Sequence, residues 1–279
     1  MNKKNTWTKK RHRVIFAIVK FFGMWHVRRK YNITLERCEA LKGRQSLLLF
    51  NHVTAYDQFF VADAVNVPVY FIASEDIFSI GWLSKLMSWA VAPIPIKKQA
   101  QDVKALKTCL KVVKEGGTIA LSPEGNRTYS GKLCYIKATV VAMAKRFKLP
   151  IACYRIEGGF GKQPRWSDTV RGGSMRAYVS RIIEPEEYKA MSDEELMTEI
   201  VAELDVNETG NTGEYEGEHL AEYLERAMYV CPDCGLSRFE SHGNEFNCTN
   251  CKLTGRYTAT KELVGAGREF PFRVLADWY

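Results

Sequence analysis

The sequence predicts an α/β fold: a central sheet, mostly parallel or mixed, flanked by helices, with a distinct segment at each end. Three observations predict it. Short apolar runs alternate with stretches of helical periodicity between residues 47 and 159. A basic, aromatic segment precedes them, and paired cysteines follow them.

LLLF, 47–50, is apolar throughout, as in a strand buried on both faces. QFFVADAVN, 58–66, fits a helix leaving a turn at Asp57. VPVYFIA, 67–73, is β-rich and bounded by Pro68 and Ser74. IGWLSKLMSWA, 80–90, spaces its apolar residues helically. APIPI, 92–96, has prolines at alternate positions, which restricts it to an edge strand or an extended loop. DVKALKTCLKVVKEG, 102–116, is an amphipathic helix ended by Gly116-Gly117. TIALSPEG, 118–125, is a short strand running into a loop. IKATVVAMAKRFK, 136–148, is a helix stopped before Pro150, and IACYRIEGG, 151–159, is a further strand. Past residue 184 the chain turns acidic and helical, with Ser192 as N-cap and Glu195 as its capping-box partner. A polar loop, 207–217, leads to EHLAEYLERAMY, 218–229, which reads as one more helix.

Apolar residues make up 46% of the 279, enough for a full core. The net charge of +8 points to an anionic partner: a membrane surface, a phosphate-bearing substrate or nucleic acid. The charge is uneven, because no acidic residue precedes Glu36 while basic residues run from Lys3 to Lys30. Between the basic clusters lies VIFAIVKFFGMWHV, 14–27. A spanning helix needs roughly 20 apolar residues, so this run is too short to cross a bilayer alone. It lacks the small-residue cleavage site of a signal peptide, since His26, Val27 and Arg28 follow. A helix lying at the interface fits better, its apolar face among acyl chains and its Lys and Arg at anionic headgroups.

The cysteines divide. Cys38, Cys109, Cys134 and Cys153 are scattered in apolar or mixed settings, as small core residues of a reduced compartment. CPDC, 231–234, and CTNC, 248–251, are two Cys-x-x-Cys hooks. Cys231, Cys234, Cys248 and Cys251 can surround one structural zinc as a closed tetrahedron of thiolates. With a turn at His242-Gly243-Asn244 between the hooks and β-formers after them, the module reads as a zinc ribbon. His242 is a turn residue rather than a ligand, because four cysteines already fill the site.

Two stretches carry chemistry. In LLLFNHVTAYDQFF, 47–60, His52 stands where a strand ends and Asp57 follows five positions later. A carboxylate on one ring nitrogen fixes the imidazole tautomer and leaves the other nitrogen to take a proton from a hydroxyl. No serine or cysteine beside it has a nucleophile-elbow setting, so the nucleophile is a substrate hydroxyl. In LSPEGNRTYSG, 121–131, Glu124, Gly125, Asn126, Arg127 and Thr128 form a loop after a strand. Gly125 permits a tight backbone, and Arg127 offers a planar fork suited to phosphate.

Together these stretches resemble the 1-acyl-sn-glycerol-3-phosphate acyltransferase family. The family's Asn-His-x-Ser-x-x-Asp block is NHVTAYD here, with Thr54 in place of serine. Its Phe-Pro-Glu-Gly-Thr-Arg-Ser block is SPEGNRTYS, with Ser122 and Asn126 as departures. APIPIKK resembles a third block, with Lys97 or Lys98 where arginine is usual, and LPIAC a fourth, with Cys153 for the last proline. The resemblance implies transfer of a fatty acyl chain from acyl-CoA or acyl carrier protein to the free hydroxyl of lysophosphatidic acid or another lysolipid. In that reading His52 deprotonates the hydroxyl and Asp57 orients His52. Arg127, with Glu124, Gly125, Asn126 and Thr128 shaping the loop, holds the acceptor phosphate, and Lys97 and Lys98 assist at the phosphate or at the carrier. The chemistry needs no catalytic metal, which leaves the zinc structural. The implied location is the cytoplasmic face of the cell membrane, peripheral or monotopic.

The expected partition is 1–35 as membrane-interface helices, 36–190 as the acyltransferase domain, 191–226 as an acidic helical connector and 227–279 as the ribbon. The competing class is a zinc-ribbon protein that grips nucleic acid or protein. It leaves the His-Asp block unexplained, and residues 227–257 lack the basic patch that nucleic acid requires.

Overall fold

The protein is seen here as a computed structural model that describes residues 6–79, 81–97, 102–209 and 213–279. A single helix, α1 (Lys10–Tyr31), opens it and ends at Asn32 in the left-handed region, φ 48°. The cations of its last turn, Arg28, Arg29 and Lys30, suit the carbonyl end of a helix. Met24, Val27 and Tyr31 are buried, while Phe21, Phe22 and Trp25 are exposed. The expected N-terminal helices are thus one helix among the described residues, packed on the domain along one side.

The chain continues through β1 (Ile33–Leu35), β2 (Leu47–Phe50), α2 (Asp57–Ala64), β3 (Val69–Ser74), α3 (Gly81–Ala90), β4 (Ile94–Ile96), α4 (Val103–Lys114), β5 (Thr118–Leu121), α5 (Thr139–Phe147) and β6 (Ile151–Glu157). A short helix, α6 (Gly159–Lys162), precedes β7 (Met175–Ile183), α7 (Pro185–Lys189) and α8 (Asp193–Leu204). Seven strands form one sheet in the order β1-β7-β6-β2-β5-β3-β4. The sheet is mixed: β6, β2, β5, β3 and β4 pair in parallel, and β7 runs antiparallel to β6. LLLF is apolar at every position because β2 is central, with Leu47, Leu48 and Leu49 fully buried. One face packs against α4, α5 and α8 through Val112, Val141 and Ile200, and the other against α1 and α2 through Val27 and Phe60.

Most expected elements stand within a few residues of their places. APIPI contributes the edge strand β4, as alternating prolines require. Ser192 caps α8 and Glu195 returns the bond, completing the capping box. Two strands had no counterpart in the sequence reading, β1 and β7. One expectation fails: 218–229 is not an α-helix but a turn with a 3₁₀ segment, Leu224–Arg226. Tyr223 is left-handed there, φ 69°, the amides of Leu220 and Ala221 bond Asn244 and Gly243, and the Leu224 amide is shared between the Ala221 carbonyl and the Ser241 hydroxyl. Tertiary partners outweigh local propensity.

At the C-terminus, β8 (Phe239–His242), β9 (Glu245–Cys248), β10 (Thr254–Tyr257) and β11 (Leu263–Gly265) form an antiparallel sheet in the order β11-β10-β9-β8. His242 is exposed and is the last residue of β8 rather than part of the turn, which is Gly243–Asn244.

Candidate active site

Because β6, β2 and β5 are adjacent and parallel, the loops leaving their C-terminal ends meet. These loops are 51–56, 122–138 and the segment after Glu157. Asn51 fixes the end of β2. Its side chain accepts from the Ile156 amide at 2.8 Å and donates to the Ile156 carbonyl at 2.9 Å.

His52 follows, with its side chain 27% exposed. Its Nδ1 lies 2.7 Å from Oδ2 of Asp57, the first residue of α2 and fully buried. A carboxylate oxygen only accepts, so Nδ1 carries the proton and Nε2 of the neutral ring keeps its lone pair. Asp57 is itself held firmly. It accepts from the amides of Val53 (2.8 Å) and Thr54 (3.0 Å) and from the Thr54 hydroxyl (2.6 Å). Threonine in the family's serine position therefore supplies the same hydroxyl donor.

Glu124 turns its carboxylate inward onto two amides, His52 N–H at 2.6 Å and Cys134 N–H at 2.7 Å. Burial pushes its carboxyl up to about 7, against the pull of those two donors. Gly125 sits at φ +71°, which favours glycine, and closes a turn onto the Ser122 carbonyl. Asn126 is exposed at the tip. Thr128 is buried, and its amide donates to the His52 carbonyl at 3.1 Å. Arg127 is partly buried and anchored twice, Nε to the Val53 carbonyl (3.1 Å) and Nη2 to the Gln163 carbonyl (3.0 Å). Burial lowers the basicity of its guanidinium.

The structure therefore brings His52, Asp57, Glu124, Arg127 and Thr128 together. Lys97 is exposed at the end of edge strand β4, with β3 and β5 between it and β2, about 14 Å at the usual strand spacing. Lys98 lies outside the described residues.

In the ribbon, the sulfurs of Cys231, Cys234, Cys248 and Cys251 all lie within 4.8 Å of one another, close enough to bind one metal ion. Cys231–Cys251 and Cys234–Cys248 are 3.5 and 3.7 Å apart. A tetrahedron with about 2.3 Å metal–sulfur bonds has edges of about 3.8 Å, so the donor set fits zinc. Gly235 and Lys252, at φ 71° and 64°, form the tight turns of the two hooks.

A family model described as Acyltransferase matches residues 30–157, the span that holds the His52 loop and the Glu124 loop. Residues 30–157 are thus similar to the acyltransferase family over the span that carries both loops. A chloroplastic 1-acyl-sn-glycerol-3-phosphate acyltransferase of Brassica napus is 27% identical over 128 residues, covering 44% of this chain and 37% of the relative. One of Arabidopsis thaliana is 24% identical over 159 residues, covering 55% of this chain and 44% of the relative. The chain thus spans less than half the length of these curated relatives. The crystal structure of a 1-acyl-sn-glycerophosphate acyltransferase from Thermotoga maritima aligns with a TM-score of 0.54 at 18% identity, covering 69% of this chain and 91% of that one. A likeness at that identity shows a shared fold.

A cleft of about 770 Å³ lies away from His52. It runs along α1 at the far end of α2, where Lys20, Arg28 and Arg37 surround buried Asp63. The sequence reading missed three neighbours of the site. Tyr31 donates from the end of α1 to the Gln163 side chain, Gln163 holds Arg127, and Arg165 Nη1 donates to the Arg127 carbonyl at 2.9 Å. A signal for the last two existed: GGFG at 158–161 marks a tight turn at the end of β6, the strand beside β2.

Proposed function

We propose that the protein transfers a fatty acyl group from acyl-CoA or acyl carrier protein to the free hydroxyl of lysophosphatidic acid, forming phosphatidic acid. One observation carries this reading: the His52–Asp57 pair at 2.7 Å, set at the ends of parallel strands beside the Arg127 loop. His52 Nε2 takes the proton of the acceptor hydroxyl as its oxygen bonds the thioester carbonyl carbon. Asp57 stabilises the imidazolium. Collapse of the tetrahedral intermediate breaks the carbon–sulfur bond, and the leaving thiolate receives the proton from His52. General-base help of this kind is worth roughly 10²–10⁴-fold.

Arg127 engages two carbonyls, and a guanidinium fixed in this way keeps further N–H groups for the acceptor phosphate. The four cysteines hold a structural zinc, whose role is folding energy. Four thiolates leave no open position for substrate.

The membrane reading has its own support. Phe21, Phe22 and Trp25 of α1 and Trp82, Leu86 and Trp89 of α3 are exposed. Arg29 lies over Trp25 at 4.9 Å and Arg11 over Trp89 at 5.2 Å, a mixture of aromatic and cationic groups that suits an anionic interface. No helix of the described residues is long and apolar enough to cross a membrane. The reading is a peripheral or monotopic enzyme at the cytoplasmic face.

The test is a transfer assay on zinc-loaded protein with liposomes containing lysophosphatidic acid and either labelled donor. Phosphatidic acid forms with wild type and not with His52→Ala. Wild type that makes none with either donor overturns the assignment. The same liposomes, sedimented, carry down wild type and leave a Trp25→Ser/Trp82→Ser variant in solution. Equal sedimentation of the two removes the membrane face.

A further inference from the structure

The ribbon is not a passenger on the acidic connector, because its apolar core is shared with the acyltransferase domain. Phe160 and Trp166, from the segment after β6, are buried in one cluster with Phe246 and Tyr257, and Tyr129 of the Arg127 loop packs against that cluster. Trp166 meets Tyr257 edge-on, ring centroids 5.5 Å apart, and its carbonyl accepts from Arg226 at 3.3 Å. Buried Arg171 lies over both rings, 4.9 Å from Trp166 and 5.1 Å from Tyr257.

The residue before Trp166 faces the other way. Arg165 donates to the Arg127 carbonyl and stacks over Tyr129 at 4.3 Å. Two positions earlier, the Gln163 carbonyl holds Arg127 Nη2. A second tie is direct: Lys132 Nζ of the same loop donates to the Ala276 carbonyl, past the last ribbon strand, at 3.3 Å. The loop thus hangs between two supports. Glu124, Arg127 and Thr128 tie it to the His52 segment, and Arg165, at the Arg127 carbonyl, and Lys132 tie it to the ribbon side. A ribbon with four thiolate ligands has two states, folded with metal and unfolded without it, and such an element can carry coupling between sites.

Resting on the transferase reading above, we propose that the ribbon is a positioning element of the acceptor site. It holds the Arg127 loop in register with His52 through the joint Gln163–Arg165–Trp166, so metal occupancy of the four cysteines sets acceptor affinity. Arg165 is the positioning residue of this joint.

The first test needs no turnover. Hydrogen exchange is followed in full-length, zinc-loaded protein before and after a zinc chelator. Residues 122–134 are expected to lose protection together with the ribbon, while β2 and β5 keep theirs. Unchanged protection of 122–134 beside a freely exchanging ribbon overturns the proposal. The second test is Arg165→Ala in the transfer assay with lysophosphatidic acid. KM for the acceptor is expected to rise about tenfold, the scale of one hydrogen bond, with kcat and Tm unchanged. Arg165→Lys, which keeps a donor, is expected to recover part of the loss. A fall in kcat at constant KM, or an unaltered KM, overturns it. Wild type without transferase activity would sink the functional reading alone, and the exchange experiment would still judge the joint.

Discussion

The loop around His52 and the cysteine ribbon reach order by opposite routes. Asp57 gathers its donors from residues at most five positions away: His52, Val53 and Thr54. The strand beneath them is buried whether or not anything binds. The ribbon's strands are four residues or shorter, and its four thiols come from two separate hooks. Its apolar cluster is completed by side chains borrowed from the domain. The His52–Asp57 geometry is therefore built in by the sheet, while the ribbon leans on a neighbour and on four cysteines close enough to bind a metal ion.

The largest expected effect tests that dependence. Structural zinc in small modules contributes on the order of 10 kcal/mol of folding free energy. Chelation is expected to melt the ribbon and leave the His52–Asp57 pair in place, because no bond of that pair comes from the ribbon. Two-dimensional NMR of the amides on both sides reports it. Simultaneous loss of the β2 and ribbon signals at one chelator concentration would erase the distinction between the regions.

The converse perturbation leaves the ribbon alone. Asp57→Asn keeps the size but puts an amide group in the bonding position, so the imidazole tautomer is no longer fixed with its lone pair at Nε2. Transfer is expected to fall by roughly 10²–10⁴-fold, the range of general-base catalysis, with bound zinc unchanged. Activity near wild type would mean that Asp57 only caps the turn.

The same division explains what the sequence revealed. LLLF, the prolines of APIPI and the Ser192–Glu195 box carry local signals, and each stands as expected. His52 and Asp57 were legible because their pairing spans a single turn. Residues 218–229 were misread because Gly243 and Asn244 of the ribbon take the Ala221 and Leu220 amides, and Ser241 shares that of Leu224. Arg165 was invisible for a related reason. Its partner, the Arg127 carbonyl, lies 38 positions away and is a backbone atom that leaves no mark in the sequence.

The smallest effect sharpens the comparison through pH. Burial raises the Glu124 carboxyl from 4.5 to about 7 in the folded protein. Between those values the folded state binds more protons than the unfolded chain. This group's contribution to stability is therefore complete below pH 4.5 and is lost as pH rises toward 7. The ribbon responds in the opposite sense, because metal-bound thiolates favour higher pH. Glu124→Gln removes only the first dependence. It also keeps a single oxygen for two amides, His52 N–H and Cys134 N–H, at a cost of about 1–3 kcal/mol. Urea midpoints of wild type and variant, measured from pH 4.5 to 8, separate the two regions, since the ribbon's term cancels in the difference. The gap between the curves is expected to narrow as pH rises through that window. Parallel curves would show that Glu124 does not titrate there and that its two amides bind an ordinary carboxylate throughout.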